Sequence, residues 1–382
     1  MKKAASLYLH LPFCSRKCAY CDFAVRILQS AAQVDRYFEH LALELSGVAE
    51  EAVTLQTLYI GGGTPSILSV SEIDALYLLL KNNFDLSELS VSGEWTLEVN
   101  PEHARKAELL AWKQKGINRI SLGVQSFDND LLARCGRLHQ HADVFRAVQH
   151  IQESGFTNWS LDLMYALPDQ CLAQWRDSLE QAIRLEPTHV SLYALEVHLK
   201  TLFGAQQLPD FSEDLAGEMY DLACDLLSKA GYIHYEIANF CLPGYASQHN
   251  QVYWQTEPFI AVGVGAHGYL QDRRYENPHG LKAYYQMCQS RRWGVQKTIP
   301  QTRSEAMEEF MFLGLRQLEK GIAWNTFETR FGVSLWDCYA QPLQAAFDAG
   351  YLLSTSEGFV LNPDCVGLSN RILAEFLDPV MA

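Results

Sequence analysis

The chain lacks the features of a secreted or membrane-spanning protein. It has no run of about 18 consecutive apolar residues, which is the length that a membrane-spanning helix needs. Its first apolar stretch is interrupted by His10 and Pro12, so no secretory signal is predicted. Basic residues are also few, with 30 Lys and Arg against 45 Asp and Glu, which disfavours nucleic-acid binding through phosphate contacts. These absences favour a folded cytoplasmic protein and leave small-molecule chemistry open.

Cysteine, by contrast, is abundant, and three of the ten cysteines lie within eight residues as Cys14-x3-Cys18-x2-Cys21. In a reducing compartment such a group indicates metal binding rather than disulfides. A structural zinc ion would need four closed ligands, and no fourth Cys or His has a zinc-like spacing, although His10 is nearby. In a [4Fe–4S] cluster three thiolates would leave one iron open to a small-molecule ligand.

Six β-rich runs separated by amphipathic helical stretches predict an α/β fold. Strands joined by crossover helices pair in parallel, so the pattern indicates a barrel or a doubly wound sheet, and we favour a partial barrel. In either fold, ligands bind at the carboxyl ends of the strands. The runs cover residues 7–11, 57–62, 95–100, 119–126, 158–166 and 189–197.

The chain is expected to have three parts. Residues 1–200 form the barrel, residues 201–300 form an extension with further strands at 234–240 and 259–270, and residues 301–382 form a small winged-helix-like α+β module. That module has five basic and eleven acidic residues, so we expect it to pack on the barrel rather than to bind DNA.

The cysteine spacing directly after a first strand resembles the signature of the radical S-adenosylmethionine (SAM) superfamily. The segment LYLHLPFC…CAYCDF is similar to its coproporphyrinogen-dehydrogenase-like branch. This resemblance implies a partial (β/α)6 barrel, a [4Fe–4S] cluster on Cys14, Cys18 and Cys21, and a bound SAM that is cleaved to a 5′-deoxyadenosyl radical. The positions that match the family's SAM contacts are Tyr8, Tyr20, Gly62, Gly63, Thr64, Glu98, Gln125, Arg137 and Asp162.

Position 23 and the segment 249–254 indicate which branch of the superfamily the chain resembles. The oxygen-independent coproporphyrinogen III dehydrogenases have a further cysteine two residues after the third, where this chain has Phe23. The segment 249–254 is similar to the HNxxYW motif of the HemW-type haem chaperones. The resemblance implies haem contacts from this motif, with the imidazole as an iron ligand and the aromatic rings against the macrocycle. The residues concerned are His249, Asn250, Tyr253 and Trp254.

The resemblance therefore implies a cytoplasmic haem chaperone that keeps the cluster and SAM site and passes haem to an acceptor, a membrane-associated haemoprotein. The alternative is a coproporphyrinogen III dehydrogenase, which would oxidatively decarboxylate propionate side chains. A third hypothesis, a transcriptional regulator with the cluster as sensor, is disfavoured by the acidic C-terminal module. The second axial haem ligand stays open among His10, His139, His189, His198, His234 and His267, with Cys241 as a further thiolate candidate.

Overall fold

The computed structural model describes residues 5–48, 54–208, 211–291 and 297–377. The strands in chain order are β1 Ser6–Leu11, β2 Phe13–Cys14, β3 Arg26–Ile27, β4 Thr57–Gly62, β5 Glu94–Val99, β6 Arg119–Gln125, β7 Asn158–Tyr165, β8 His189–Ala194, β9 Ile233–Glu236, β10 Asn239–Cys241, β11 Ile260–Val262, β12 His267–Leu270, β13 Arg273–Glu276, β14 Lys297–Pro300, β15 Ile322–Ala323, β16 Leu352–Ser354 and β17 Gly358–Leu361.

The helices alternate with these strands in the first half and dominate the C-terminal part. They are α1 Ala31–Val48, α2 Val70–Asn83, α3 Lys106–Lys115, α4 Asn129–Arg134, α5 His141–Glu153, α6 Leu172–Arg184, α7 Leu202–Ala205, α8 Glu213–Lys229, α9 Gln248–Trp254, α10 Leu281–Arg291, α11 Arg303–Gly314, α12 Trp324–Phe331, α13 Leu335–Asp348 and α14 Ser369–Ala374.

The main sheet has the strand order β11-β1-β4-β5-β6-β7-β8-β10-β9. The strands from β11 to β8 are parallel, and β10 and β9 add an antiparallel edge. The edge strands β11 and β9 do not pair with each other in the described part of the chain, so the sheet stays open. The predicted partial barrel is confirmed, because six strands follow one another with helical crossovers between them.

Successive side chains on each strand point to opposite faces of the sheet, one hydrophobic and one polar. On β1, Leu7 and Leu9 are fully buried in the core that the helices cover. Tyr8 and His10 alternate with these leucines and bond to each other on the opposite face. The same alternation on β4 directs Tyr59 inward, where its ring stacks on that of Tyr8. The concave side of the sheet therefore presents polar and aromatic side chains.

Both strand predictions in the extension needed correction. The run at 234–240 is not one strand but the hairpin β9–β10, whose strands pair antiparallel. The run at 259–270 breaks between β11 and β12, where Gly263 has φ +100°. A Cβ atom at Gly263 would lie 2.4 Å from the carbonyl oxygen of His10, so the chain turns there against β1.

The C-terminal part has its own hydrophobic core, built from α11 to α14 and the antiparallel sheet β15-β17-β16. The strands β16 and β17 form an antiparallel hairpin around Glu357. The module packs on the barrel extension: the Arg316 carbonyl accepts a hydrogen bond of 3.2 Å from the Ile237 amide. The three-part division at residues 200 and 300 stays a prediction. None of the helices in the described ranges combines the length and apolarity needed to span a bilayer.

Candidate functional site

The three clustered cysteines lie on the loop that follows β1, at the carboxyl end of the parallel strands. The middle of this loop is held by a hydrogen bond of 2.9 Å from the Ala19 amide to the Cys135 carbonyl. Cys14 is buried, whereas Cys18 and Cys21 are half-buried. Burial raises the pKa of Cys14 to about 11, and the neighbouring thiols of Cys21 and Cys18 act in the same direction. The Cys21 amide also donates a hydrogen bond of 3.2 Å to the Cys18 carbonyl, which folds this part of the loop into a tight turn.

This donor set suits a cluster better than a single ion. Within the described ranges, no group of three or more His, Cys, Asp or Glu side chains converges on a point that could hold one metal ion. In a [4Fe–4S] cluster each thiolate binds a different iron, so the sulfur atoms stand farther apart. Three neighbouring cysteines on one partly exposed loop fit that arrangement.

Glycines at the end of β4 let the sheet approach the cysteine loop. A Cβ atom at Gly63 would lie 2.6 Å from the Phe13 carbonyl oxygen and 3.0 Å from the Cys14 sulfur, so a side chain would disrupt this contact. Gly62 has φ +111°, a conformation that favours glycine. The result is a strip of bare backbone beside the cysteines, which a small polar ligand can approach closely.

Glu98, near the end of β5, lies against this strip. Its Oε2 accepts a hydrogen bond of 2.9 Å from the Gly62 amide, and its Oε1 accepts one of 3.0 Å from the Tyr59 hydroxyl. Burial raises the pKa of Glu98 to about 7, although both hydrogen bonds oppose the shift. A carboxylate in this position can accept hydrogen bonds from a cationic ligand.

A hydrogen-bonded chain connects the ends of two strands to the cysteines. Arg137 donates to the Asn100 side-chain oxygen at 2.9 Å and to the Cys18 sulfur at 3.6 Å. Asn100 in turn donates to the Thr64 hydroxyl at 3.1 Å, and Thr64 donates to the Cys14 sulfur at 3.5 Å. Arginine and threonine thus reach two of the three sulfur atoms, which ties the loop to the ends of β4 and β5.

Gln125 and Asp162 occupy the next strands of the concave face. Gln125 has φ +67°, an uncommon conformation for a residue with a side chain, and such strain is often found at functional sites. Asp162 accepts hydrogen bonds from Ser121 at 2.7 Å and Ser160 at 3.1 Å. Burial raises its pKa, and its charge also raises that of Glu98, so both carboxyl groups share the interior.

The two predicted tyrosines lie on different sides of the site. The Tyr8 hydroxyl is 3.1 Å from Nδ1 of His10, inside the barrel. Tyr20 is half-buried on the cysteine loop. Burial raises its pKa, while the Arg137 guanidinium opposes the shift, which places the two groups near each other. The structure thus gathers all nine residues predicted to contact SAM around the mouth and interior of the barrel; their roles stay predictions.

His249 lies apart from this group, at the amino ends of the strands. It belongs to helix α9 and has no exposed surface. Its Nδ1 is 2.8 Å from the Thr57 hydroxyl and its Nε2 is 2.7 Å from the Tyr253 hydroxyl. Burial lowers its pKa to about 3. In this conformation neither ring nitrogen is available to a haem iron.

The other motif residues face a different space. Ser247 caps the helix, and its hydroxyl accepts a hydrogen bond of 3.4 Å from the Asn250 amide. Tyr253 and Trp254 line a cleft of about 610 Å³, which we call the side cleft. It lies between β1, the loop residues 22–24, the end of α9, the hairpin β12–β13 and α11. Tyr253 packs edge-on against Phe259, with ring centroids 4.6 Å apart.

Asn100, a polar residue that the sequence places at a strand end, links Arg137 to Thr64. One residue of the side cleft could not be predicted from the sequence. His279 lines the side cleft together with His267, but it stands in a turn with no motif around it.

Family comparisons agree with this geometry. Residues 8–182 match the radical SAM superfamily, and residues 301–364 match the HemN C-terminal domain. The chain is 35% identical to the heme chaperone HemW of Lactococcus lactis over 99% of this chain and 98% of that protein. It is also 35% identical to heme chaperone HemW of Bacillus subtilis over 97% and 99% of the two chains.

A more distant relative is the mitochondrial radical S-adenosyl methionine domain-containing protein 1 of Bos taurus, 31% identical over 98% of this chain and 87% of that one. Among solved structures, coproporphyrinogen III oxidase HemN of Escherichia coli superposes with a TM-score of 0.83, covering 98% of this chain and 90% of the other. At 24% identity, that match establishes the fold alone.

Proposed function

We propose, because the chain belongs to the HemW heme-chaperone family of the radical SAM superfamily, that it binds haem and passes it to an acceptor protein. The observation that carries the proposal is the side cleft. It has a volume of about 610 Å³, lies directly against the cysteine loop and is walled by Tyr253 and Trp254 of the HNxxYW segment. That volume is within the range of about 300–1,000 Å³ that is typical of cofactor pockets.

The residues at the barrel mouth suit a resident [4Fe–4S] cluster and SAM. Cys14, Cys18 and Cys21 would hold the cluster, which supplies an electron for reductive cleavage of SAM. The bare backbone at Gly62 and Gly63 would contact the methionine amino group of SAM. Thr64, Gln125, Arg137 and Asp162 would complete the contacts, with Tyr8 and Tyr20 lining the site.

Glu98 and the Arg137 chain would keep this site ordered before a ligand arrives. Glu98 holds the Gly62 amide, and Arg137 holds the cysteine loop through Cys18. Groups that are already fixed cost less entropy when a ligand binds. The chain's own side chains thereby position the loop and place a carboxyl group where the SAM cation would bind.

In the haem region, Tyr253 and Trp254 would contact the macrocycle, and His249 would hold Tyr253 in place. Direct ligation of the iron by His249 stays a prediction, and it requires the His249–Tyr253 hydrogen bond to break. Asn250 would act through the helix cap. Flat aromatic side chains suit a porphyrin because they offer large apolar contact areas.

The proposed cellular setting follows from the cysteines and the composition. All ten cysteines are free thiols, which supports a reducing cytoplasmic compartment. The acceptor is proposed to be a membrane-associated haemoprotein, as the family resemblance implies. The acidic composition supports a protein or small-molecule partner rather than a nucleic acid.

Haem titration of the anaerobically reconstituted full-length protein tests the proposal. We expect a saturable Soret shift with a stoichiometry near one haem per chain. Incubation with coproporphyrinogen III, SAM and a reductant should yield no protoporphyrinogen, because the dehydrogenase branch differs at Phe23. Efficient product formation without haem binding would favour the dehydrogenase alternative instead.

A further inference from the structure

The side cleft contains two histidines that the fold leaves free. His267 is the first residue of β12, and His279 stands in the turn between β13 and α10. Their rings lie with centroids 5.9 Å apart and planes inclined by 67°. Both residues are exposed, and neither imidazole has a hydrogen-bond partner among the described residues.

Other histidines near the cleft and barrel are already occupied. His10 is buried, with its ring nitrogens 3.1 Å from the Tyr8 hydroxyl and from the Ala24 carbonyl oxygen. His249 is bonded at both nitrogens, as described above. An iron ligand must offer an unprotonated nitrogen lone pair that points into accessible space. Of the histidines at this end of the molecule, His267 and His279 meet that requirement.

We propose that haem docks in the side cleft with its iron ligated by His267 and His279 rather than by His249. This inference rests on the proposed haem-binding function and identifies the ligands within it. Imidazole is a common haem-iron ligand, and two accessible imidazoles in one pocket can serve as a pair of alternative or joint axial ligands.

The walls of the cleft suit the rest of the macrocycle. Phe23, with 59% of its surface exposed, stands on the cysteine loop at one side, and Tyr253 and Phe259 form the other. Arg274 also lines the cleft; its guanidinium lies 4.6 Å from the Tyr269 ring centroid and pairs with Glu309. An arginine at the edge of an aromatic pocket can bind a propionate carboxylate.

The two histidines are held by a rigid turn rather than by a free loop. The Gly265 amide donates to the Pro278 carbonyl at 3.0 Å, and the Asn277 amide donates to the Ala266 carbonyl at 2.9 Å. A Cβ atom at Gly265 would lie 2.6 Å from the Ala24 side chain, so this turn packs directly on the cysteine loop. Haem bound there would lie beside the residues that carry the cluster ligands.

The test is a hemin titration of the full-length reconstituted protein and of three variants. We expect His267→Ala with His279→Ala together to weaken hemin binding at least about tenfold, because loss of a residue that only supports a metal ligand already costs about 10- to 100-fold. His249→Ala removes the residue that holds Tyr253, so it should weaken hemin binding without shifting the Soret position of the hemin that still binds. His141→Ala is the control, since this half-buried histidine of α5 bonds to Gln181 and does not line the cleft.

A ligand-specific readout separates ligation from packing. Exogenous imidazole should restore the wild-type absorption and electron paramagnetic resonance spectra in the paired His267→Gly and His279→Gly variant, whereas a purely structural loss would not be rescued. Wild-type spectra and affinity in the paired alanine variant, or a loss confined to His249→Ala, would overturn the assignment. If the wild-type protein itself bound no hemin, the proposed function would fail rather than the choice of ligands.

Discussion

Glu98 offers a direct test of the barrel-mouth geometry. Its carboxyl group is enclosed between the Gly62 amide and the Tyr59 hydroxyl, and burial raises its pKa from 4.5 to about 7. Replacing it by glutamine keeps the shape of the side chain but removes the titration. We therefore expect Glu98→Gln to change how stability depends on pH, in addition to any constant effect on folding.

The sign and size follow from proton linkage. Below pH 4.5 the carboxyl group is protonated in both states. Between pH 4.5 and about 7 the unfolded chain releases the proton while the folded chain keeps it, so wild-type stability falls as pH rises and levels off above pH 7. At about 1.4 kcal/mol for each pH unit between the two pKa values, the loss amounts to about 3 kcal/mol.

Glu44 provides the matched control, because burial also raises its pKa to about 7. It lies on α1, away from the cysteines, and accepts hydrogen bonds from Tyr284 and the Gly263 amide. Urea unfolding from pH 4.5 to 8 should show a flatter pH dependence in both Glu98→Gln and Glu44→Gln. Only Glu98→Gln should weaken SAM binding. In the wild type and in Glu44→Gln, the affinity for SAM should rise between pH 5 and about 7 as Glu98 ionises, and in Glu98→Gln this rise should be absent.

A Glu98→Gln protein that keeps the wild-type pH slope while Glu44→Gln loses it would contradict the predicted titration of Glu98. In that case the carboxyl group would be solvated in solution. Equal SAM affinity of the wild type and Glu98→Gln at pH 8 would show that Glu98 does not contact SAM. It would not affect the predicted pH dependence of stability.

Two further predictions concern the cysteine loop and the cleft hairpin. Replacing Cys14, Cys18 and Cys21 together by alanine should abolish the absorption spectrum of a reconstituted [4Fe–4S] cluster, whereas Cys135→Ala should keep it. Stoichiometric zinc in the wild-type protein would contradict the cluster. Gly268→Ser should destabilise the fold by about 1–3 kcal/mol through overpacking, because a Cβ atom there would lie 2.2 Å from the Tyr275 ring. Thermal unfolding of Gly268→Ser measures this loss, with Gly280→Ser as the control because the space around Gly280 is open. An unchanged melting temperature for Gly268→Ser would disprove the prediction.

The parallel sheet could be predicted from the sequence because its signals are local. The run at 57–62 matches β4 residue for residue, and the run at 119–126 differs from β6 by its last residue. Strands buried on both faces carry continuous apolar patterns, and crossover helices fix parallel pairing. The cysteine spacing is equally local, since all three residues belong to one loop.

Contacts between distant segments could not be predicted in the same way. The run at 259–270 has a continuous strand-like pattern, yet Gly263 and Gly265 turn the chain between β11 and β12. The cause lies elsewhere in the chain, in the close approach of β1 and the cysteine loop. His279 was missed for a related reason: a turn residue becomes part of a cleft only when other elements surround it.

The burial of His249 is determined by Glu94, a residue far away in the sequence. Glu94, at the start of β5, accepts hydrogen bonds from the amides of Gln248 and His249 at 2.9 and 3.0 Å, and from the Ser247 hydroxyl at 3.0 Å. A carboxylate at the amino end of a helix is favourable because it satisfies free amides and opposes the helix dipole. This contact holds the first turn of α9 inside the barrel, whereas the last turn reaches the side cleft through Tyr253. The HNxxYW segment is thereby divided: its histidine closes the amino end of the barrel interior, and its aromatic residues face the space where free imidazoles stand.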